Sequence, residues 1–474
     1  MQRFEQIYID GRFVTPHGEE WFDLHDPSTE QVTGQVRLGD EQDARRAIAA
    51  ASAAFPAWAR TTRVERVAAL RRLHAAMAAR EDALLEAIVG EYGAPAPRAR
   101  WMAAYPAQTI LAAIEALEAF AFEETAGAAR VVMTPVGVAA LITPWNSNAG
   151  FICNKLATAL AAGCTAVVKP SEMSAWQTQI VLEALHAAEL PPGVANLVNG
   201  RGEVVGEALS RDPGVAKISF TGSSAVGRHL VGAGAATLKR VTLELGGKSP
   251  TLILDDADFA EVMPLVLQAG FMNSGQACIA GTRILVPRAR LAEFERVAAQ
   301  AVAQVRSGDP RVTDTEIGPM VSRKQWERVQ GYIRLGMEEG VRLLAGGEGR
   351  PEGLAAGWFV KPTLFTDVDN TMRIAREEIF GPVLCLIAYD DEADAIRIAN
   401  DTAYGLSALV LGRDRDRERG ERVARQIEAG RVLVNTLNHE PRAPFGGFKQ
   451  SGLGREMGKW GLGAYLEPKT LMVG

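Results

Sequence analysis

The feature that most constrains this chain is a rhythm of short apolar runs and helical stretches that begins near residue 136. VGVAALI (136–142), TAVVK (165–169), ANLVNG (195–200) and AKISF (216–220) are β-type runs. Helical stretches at 151–162, 174–188 and 203–210 lie between them. Strands alternating with helices predict a parallel sheet covered on both faces, the usual setting for a dinucleotide. After Gly247 the rhythm restarts, with TLILD (251–255), TRILVP (282–287), PVLCLIAY (382–389), SALVLG (407–412) and RVLVN (431–435). A second α/β unit is expected there.

The first third is helical after a short β preamble. Asp40 precedes a run in which Ala47, Ile48, Ala51, Ala54 and Phe55 fall at helical spacing, and Pro56 is expected to end it. Thr62 and Glu65 form a T-x-x-E capping box ahead of a second helix with Val67, Leu70, Leu73 and Met77 inward. A third helix carries Leu84, Leu85, Ile88 and Val89 and stops near Gly93 and Pro95.

Composition excludes several function classes. A chain of 474 residues with 51 basic and 57 acidic side chains carries a mild negative charge spread along its length. It offers no footprint for nucleic acid or an anionic membrane. The Arg-rich run 413–419 alternates with acids and reads as a solvated face. Four cysteines (Cys153, Cys164, Cys278 and Cys385) make no CxxC pair, and six histidines make no HExxH, so no bound metal and no disulfide scaffold is expected. The charge-free apolar run 156–168 is too short to span a bilayer, and the N-terminus lacks the apolar segment of a signal peptide. A cytosolic location follows as the expectation.

Three features point to chemistry. NGRGEVVG (199–206) and FTGSSAVG (220–227) each follow an apolar strand and precede a helix, where free N–H groups and absent Cβ atoms admit a phosphate. Neither is a G-x-G-x-x-G, and an ordinary tight turn is the competing reading. Cys278 lies in FMNSGQACIAG between Gly275 and Gly281, which suggests close backbone approach; a small buried thiol is the alternative. Glu244 ends a strand in ELGGKSP, where α/β enzymes place catalytic groups, although a surface carboxylate fits the pattern too.

TPWN (143–146), KPSE (169–172), FTGS (220–223), ELGGKSP (244–250), GQACIAG (275–281), EEIFGPV (377–383) and PFGGFKQSGLGRE (444–456) together resemble the aldehyde dehydrogenase family, in its order and at its spacing over nearly the whole chain. The resemblance implies an α/β fold with three parts: a Rossmann-like NAD-binding domain over 1–122 and 137–246, an α/β catalytic domain over 247–450, and a small β oligomerisation arm over 123–136 and 451–474. It implies an enzyme that oxidises a small-molecule aldehyde to the acid with NAD and water, as a homodimer or homotetramer. Cys278 then matches the nucleophile, Asn146 an oxyanion-hole donor, Glu244 the general base for thioester hydrolysis, and Lys155 a lysine near the site with a proton-relay role.

The resemblance assigns the cofactor to Thr143, Trp145, Lys169, Ser171, Glu172, Gly202, Gly206, Phe220, Thr221, Gly222, Ser223, Leu245, Gly246, Glu378 and Phe380. Glu172 would accept both ribose hydroxyls and repel a 2′-phosphate, favouring NAD over NADP. Phe151, Met272, Ile279 and Phe445 would line the aldehyde tunnel. Many members have an aromatic and a proline after the asparagine; Ser147 and Asn148 stand there and are expected to change one tunnel wall. His439, Glu440 and Arg442 fall near the expected mouth, where Arg442 could bind a distal carboxylate, although a solvated rim arginine is the commoner case. Two alternatives stay open: a CoA-acylating branch, which tends to lack the general-base glutamate, and a catalytically silent binding or structural member of the same fold.

Overall fold

A computed structural model describes residues 1–413 and 417–472. Part of the 413–419 run and the last two residues of 451–474 lie outside that set. Two parallel sheets dominate. The first has eight strands in the order Gly452–Leu453, Arg240–Glu244, Val215–Thr221, Val138–Ile142, Thr165–Lys169, Ala195–Leu197, Ile7–Ile9 and Arg12–Val14. Its inner strands pair in parallel, and Gly452–Leu453 and the Ile7–Val14 hairpin add antiparallel edges. The second has seven strands, Arg342–Ala345, Thr363–Thr366, Val383–Tyr389, Arg283–Pro287, Pro250–Ile253, Ser407–Leu411 and Arg431–Val434, with only the first pair antiparallel. The central strands Val138–Ile142, Thr165–Lys169, Val383–Tyr389 and Ser407–Leu411 are buried at every position but Ala388, which is why they read as unbroken apolar runs without polar alternation.

Helices cover the first sheet because their apolar stripes match it. Glu41–Trp58 is capped by Asp40, whose carboxylate takes the Gln42 and Asp43 N–H groups, and it buries Ala44, Ala47, Ile48 and Ala51. Pro56 does not end this helix, which runs to Trp58. So near the C-terminus the proline removes one hydrogen bond, while its fixed φ remains helical. Arg63–Ala78 begins at the Thr62–Glu65 capping box, with both halves of the exchange formed. Glu81–Ala87 continues into a π-helical turn at Ile88–Tyr92, and Gly93 closes it at φ +79°.

Two further three-stranded sheets complete the molecule. Gln2–Phe4, Val32–Arg37 and Trp21–His25 form one near the N-terminus. The other joins Glu123–Ala126, Ala129–Pro135 and Leu466–Met472 antiparallel, with Gly127 turning the hairpin at φ +61°. The 451–474 segment is therefore not one arm element. Gly452 and Leu453 pair instead with Glu244 and Leu243 in the eight-stranded sheet. No helix among the described residues is long and apolar enough to cross a membrane.

Candidate active site

Cys278 sits on a loop that the backbone holds under strain. Asn273, Ser274 and Gly275 all adopt left-handed φ values (+52°, +58° and +74°) just after the helix Phe259–Phe271. Two of the three are not glycine, so each costs about 1–2 kcal/mol unless the surroundings enforce it. They do. Arg98 Nε donates to Asn273 Oδ1 at 2.6 Å, Gly318 N to Ser274 Oγ at 2.9 Å, and Val321 N to Gln276 Oε1 at 3.0 Å. The flanking glycines do permit close approach, but to protein. A Cβ on Gly275 would lie 2.2 Å from the Gly381 carbonyl, one on Gly281 would meet Thr251 Oγ1 at 2.3 Å, and one on Gly247 would lie 2.5 Å from the Cys278 oxygen.

Glu244 ends the strand Arg240–Glu244, one in from the edge strand Gly452–Leu453 of the first sheet. Its carboxylate is buried, and neither oxygen has a hydrogen-bond partner. Burial, then the Glu456 charge, pushes its pKa well above the usual carboxylate range against the pull of Lys155 and Arg455. The absent side chain of Gly446 makes room for it, since a Cβ there would sit 2.8 Å from Glu244 Oε1. Cys278 senses the same group. Its thiol is pushed up to about 12 by burial first, then by Glu378 and Glu244, with Arg431 opposing. Asn146, buried at the start of the TPWN-derived turn, donates Nδ2 to the Gln276 carbonyl at 3.1 Å, two residues before Cys278, and its second amide hydrogen is left over.

Lys155 lies in the interior of the helix Asn148–Ala162. Its ammonium is fully buried, hydrogen-bonded to Glu456 and, at 3.0 Å, to Ser219 Oγ. Asn154 Nδ2 reaches the other Glu456 oxygen at 3.1 Å, and Ser219 Oγ reaches the first at the same distance. Glu456, the last residue of PFGGFKQSGLGRE, is thus part of the site. Its partner Lys155 lies 301 residues away, and no local signal links them.

Thr143, Lys169, Phe220, Thr221 and Leu245 lie at or just past the C-terminal ends of parallel strands, with the other expected cofactor residues in turns nearby in sequence or before Val383–Tyr389. Thr143 N bonds the Lys169 carbonyl at 3.0 Å, and Lys169 Nζ reaches Glu172 Oε2 at 3.2 Å. Arg201 comes within 3.9 Å of the other Glu172 oxygen while gripping Glu20, an arrangement the sequence did not suggest. Ser171 caps the short turn Glu172–Ser174. Gly202 and Gly206 bound a π-helical turn where a Cβ would meet open space, so close approach does not demand glycine at either. Phe220 and Thr221 end their strand, and Thr221 Oγ1 is buried without a partner. Gly222 abuts the Phe220 ring, and Ser223 caps the helix Ser224–Gly234. That helix approaches the sheet at Gly227, where a Cβ would strike Leu245 at 2.7 Å.

Glu378 faces Gly246 and accepts from Gly247 N at 3.0 Å; burial pushes its pKa up to about 7. Phe380 holds φ +65° and presents its ring edge-on to Trp145 at 5.4 Å.

Of the expected tunnel residues, Phe151, Met272, Ile279 and Phe445 are all half-buried, and Met272 and Ile279 line one cavity beside the Cys278 loop. Phe445 pairs by backbone with Glu456. Asn148 corrects an expectation: fully buried, it donates to Thr178 Oγ1 at 2.9 Å and does not line a tunnel. Arg442 is exposed and held by both Glu440 oxygens at 2.7 Å, so it is committed elsewhere. His439 is turned inward instead, its Nε2 3.3 Å from the Tyr105 hydroxyl.

A buried, partnerless carboxylate and a half-buried thiol at the junction of two parallel sheets define a class, and comparison with known proteins gives it a name: this chain belongs to the aldehyde dehydrogenase family, whose sequence profile matches residues 13–471. Among its relatives, 3-succinoylsemialdehyde-pyridine dehydrogenase from a Pseudomonas species is 44% identical over 100% of this chain and 99% of its own. Aldehyde dehydrogenase C of Pseudomonas syringae, solved as a mutant with NAD+ and octanal, superposes with a TM-score of 0.96 at 45% identity, covering 99% of this chain and 96% of that one. The Mycobacterium tuberculosis aldehyde dehydrogenase complexed with NAD+ gives 0.96 at 38% identity, covering 100% and 99%.

Proposed function

We propose that this chain oxidises an aldehyde to the carboxylic acid, with NAD as oxidant and water as acyl acceptor. The observation that carries the reading is a buried Glu244 carboxylate with no hydrogen-bond partner, whose charge helps to push up the thiol of the half-buried Cys278. The Cys278 thiol releases its proton to solvent as its sulfur attacks the carbonyl carbon, and the alkoxide that forms is met by the Asn146 amide and the Cys278 N–H. NAD, when bound, supplies the hydride acceptor that turns the adduct into a thioester. Glu244 then takes a proton from water, which attacks the thioester and frees the acid and Cys278. A carboxylate with raised proton affinity suits that role, because its basicity lies nearer neutral pH. Lys155 and Glu456 form the buried path by which Glu244 passes its proton on.

The residues present fit NAD. Glu172, held between Lys169 and Arg201, has its carboxylate set to accept hydroxyls. The unpartnered Thr221 hydroxyl and the Ser223-capped helix offer donors to a phosphate. Glu378 and Phe380 would hold the nicotinamide end. The four free cysteines fit a reducing cytosol. The exposed arm strands Glu123–Ala126 and Leu466–Met472 suit assembly into a homodimer or homotetramer.

The test is NADH formation from a simple aliphatic aldehyde in the absence of coenzyme A. Turnover that requires coenzyme A, or none, would replace this reading with acyl transfer or with a silent scaffold.

A further inference from the structure

Arg201 belongs to the loop that follows the strand Ala195–Leu197, and Glu172 to the turn that follows Thr165–Lys169. The two strands are parallel neighbours, so the turns at their C-terminal ends leave the sheet side by side, where an α/β fold takes a dinucleotide. This puts Arg201 Nη1 3.9 Å from Glu172 Oε1, while Lys169 Nζ holds the other oxygen at 3.2 Å. The rest of the guanidinium is already engaged. Its Nε and Nη2 both donate to one oxygen of Glu20, at 3.0 and 2.7 Å, and its central carbon lies 4.9 Å from the centre of the Phe22 ring.

Glu20 precedes the strand Trp21–His25 of the N-terminal sheet, 181 residues from Arg201. It reaches the loop because the backbone ties the two together. Leu38 N donates to the Glu20 carbonyl at 2.8 Å and Gly39 N to the Asn199 carbonyl at 2.7 Å, so residues 38 and 39 bridge Glu20 to the segment that carries Arg201. The crossing admits no side chain. A Cβ on Gly39 would lie 2.8 Å from Val198 Cγ1, and one on Gly200 would lie 2.9 Å from the Gly39 carbonyl oxygen. The fold itself therefore presents Glu20 to Arg201.

We propose that Glu20 is a specificity-determining residue for the cofactor: by occupying Arg201 it withholds the cation that would bind a 2′-phosphate, and so reinforces the choice of NAD over NADP that Glu172 makes directly. The inference rests on the placement of the adenosine ribose at Glu172 proposed above, and extends it to a residue of another sheet. A phosphate in place of the 2′-hydroxyl drives the Glu172 carboxylate aside by like charge. The cations within reach are then Lys169 and Arg201, and a planar guanidinium matches phosphate geometry better than an ammonium does. With Glu20 in place, that phosphate competes with a carboxylate already bound to two of the guanidinium nitrogens. Glu20 acts only through Arg201.

The experiment reads kcat/KM with NADP divided by kcat/KM with NAD, for one simple aliphatic aldehyde. Glu20→Gln should raise that ratio about three- to fivefold, the size expected of an ion pair whose side chains are 31% and 51% exposed. In an Arg201→Gln background the same change should shift it by less than about 1.5-fold, because the residue it acts through is gone. Adding Arg201→Gln to Glu172→Ser should take back at least about fivefold of the NADP gain. Calorimetric titration reads the site without turnover, using adenosine 2′,5′-bisphosphate and adenosine 5′-monophosphate, which differ only in the 2′-phosphate. Glu20→Gln should tighten the bisphosphate relative to the monophosphate by the same factor. An unchanged ratio in Glu20→Gln, an equal shift with and without Arg201, or a Glu172→Ser gain that does not depend on Arg201 overturns the proposal. If no aldehyde is oxidised, the activity reading fails and the titration decides alone. A bisphosphate preference that moves with Glu20 and needs Arg201 supports the site; no movement, or binding of neither nucleotide, refutes it.

Discussion

Replacing Glu244 by glutamine should stop the reaction halfway. In the resting structure neither carboxylate oxygen is hydrogen-bonded, so the amide breaks no existing contact. It leaves an unsatisfied polar group where one already stood, a cost of about 1–3 kcal/mol in either case, and stability should change little. Catalysis should change much more. General-base assistance from a positioned side chain contributes about 10²–10⁴-fold, and an amide cannot supply it. Addition of Cys278 and hydride loss do not need that base in the scheme above, so stopped-flow mixing should show one NADH per site followed by a steady state slower by that factor. The pH dependence gives a second reading. The working form of Glu244 is the carboxylate, and burial raises its pKa, so wild-type deacylation should climb about tenfold per pH unit until that raised pKa is passed. The variant should lose this limb. Absence of a burst, a steady state within tenfold of wild type, or an unaltered pH limb would each refute the assignment, provided calorimetry shows that NAD still binds.

Cys278→Ala should abolish NADH formation while NAD binding survives in a titration; turnover above about a hundredth of wild type would remove Cys278 as the nucleophile. Glu172→Ser should raise kcat/KM with NADP relative to NAD by roughly tenfold to a few hundredfold, because it removes a charged acceptor of the ribose hydroxyls; equal use of both cofactors by the wild type would contradict this. Gly275→Ala must relieve both a φ of +74° and a 2.2 Å approach to the Gly381 carbonyl. The conformation alone costs about 1–2 kcal/mol, and the shifted loop should lower kcat more than KM; wild-type kcat with unchanged melting would show that the loop is not clamped as described.

The parts legible in the sequence were those written locally. The Thr62–Glu65 box lies within one turn, and buried parallel strands announce themselves as branched apolar runs. Pro56 misled because a proline near the C-terminus loses one hydrogen bond but keeps a helical φ, and the helix runs two residues past it. The motifs pointed to Cys278, Glu244 and Asn146, but not to what surrounds them. Glu456 closes one of those motifs, but its pairing with the buried Lys155 joins segments 301 residues apart, and Tyr105 meets His439 across 334, separations no local pattern spans. Asn148 shows the converse: a position beside a motif residue need not face the same way, because one helical step turned its amide to Thr178.

The return of the chain at Gly452–Leu453 has a consequence for the protein's birth on the ribosome. Domains generally fold as they emerge, N-terminal part first, at about 5–20 residues per second. The cysteine at 278 and the glutamate at 244 are made early. The edge strand beside Glu244, the glycine at 446 that makes room for its carboxylate, the acid that neutralises Lys155, and the strand that closes the arm all come from residues 446–472. A nascent chain can therefore carry Cys278 for many seconds without a finished pocket around it. The surroundings of Cys278 and Glu244 are completed only by residues made well after both, so synthesis itself times when the pocket closes.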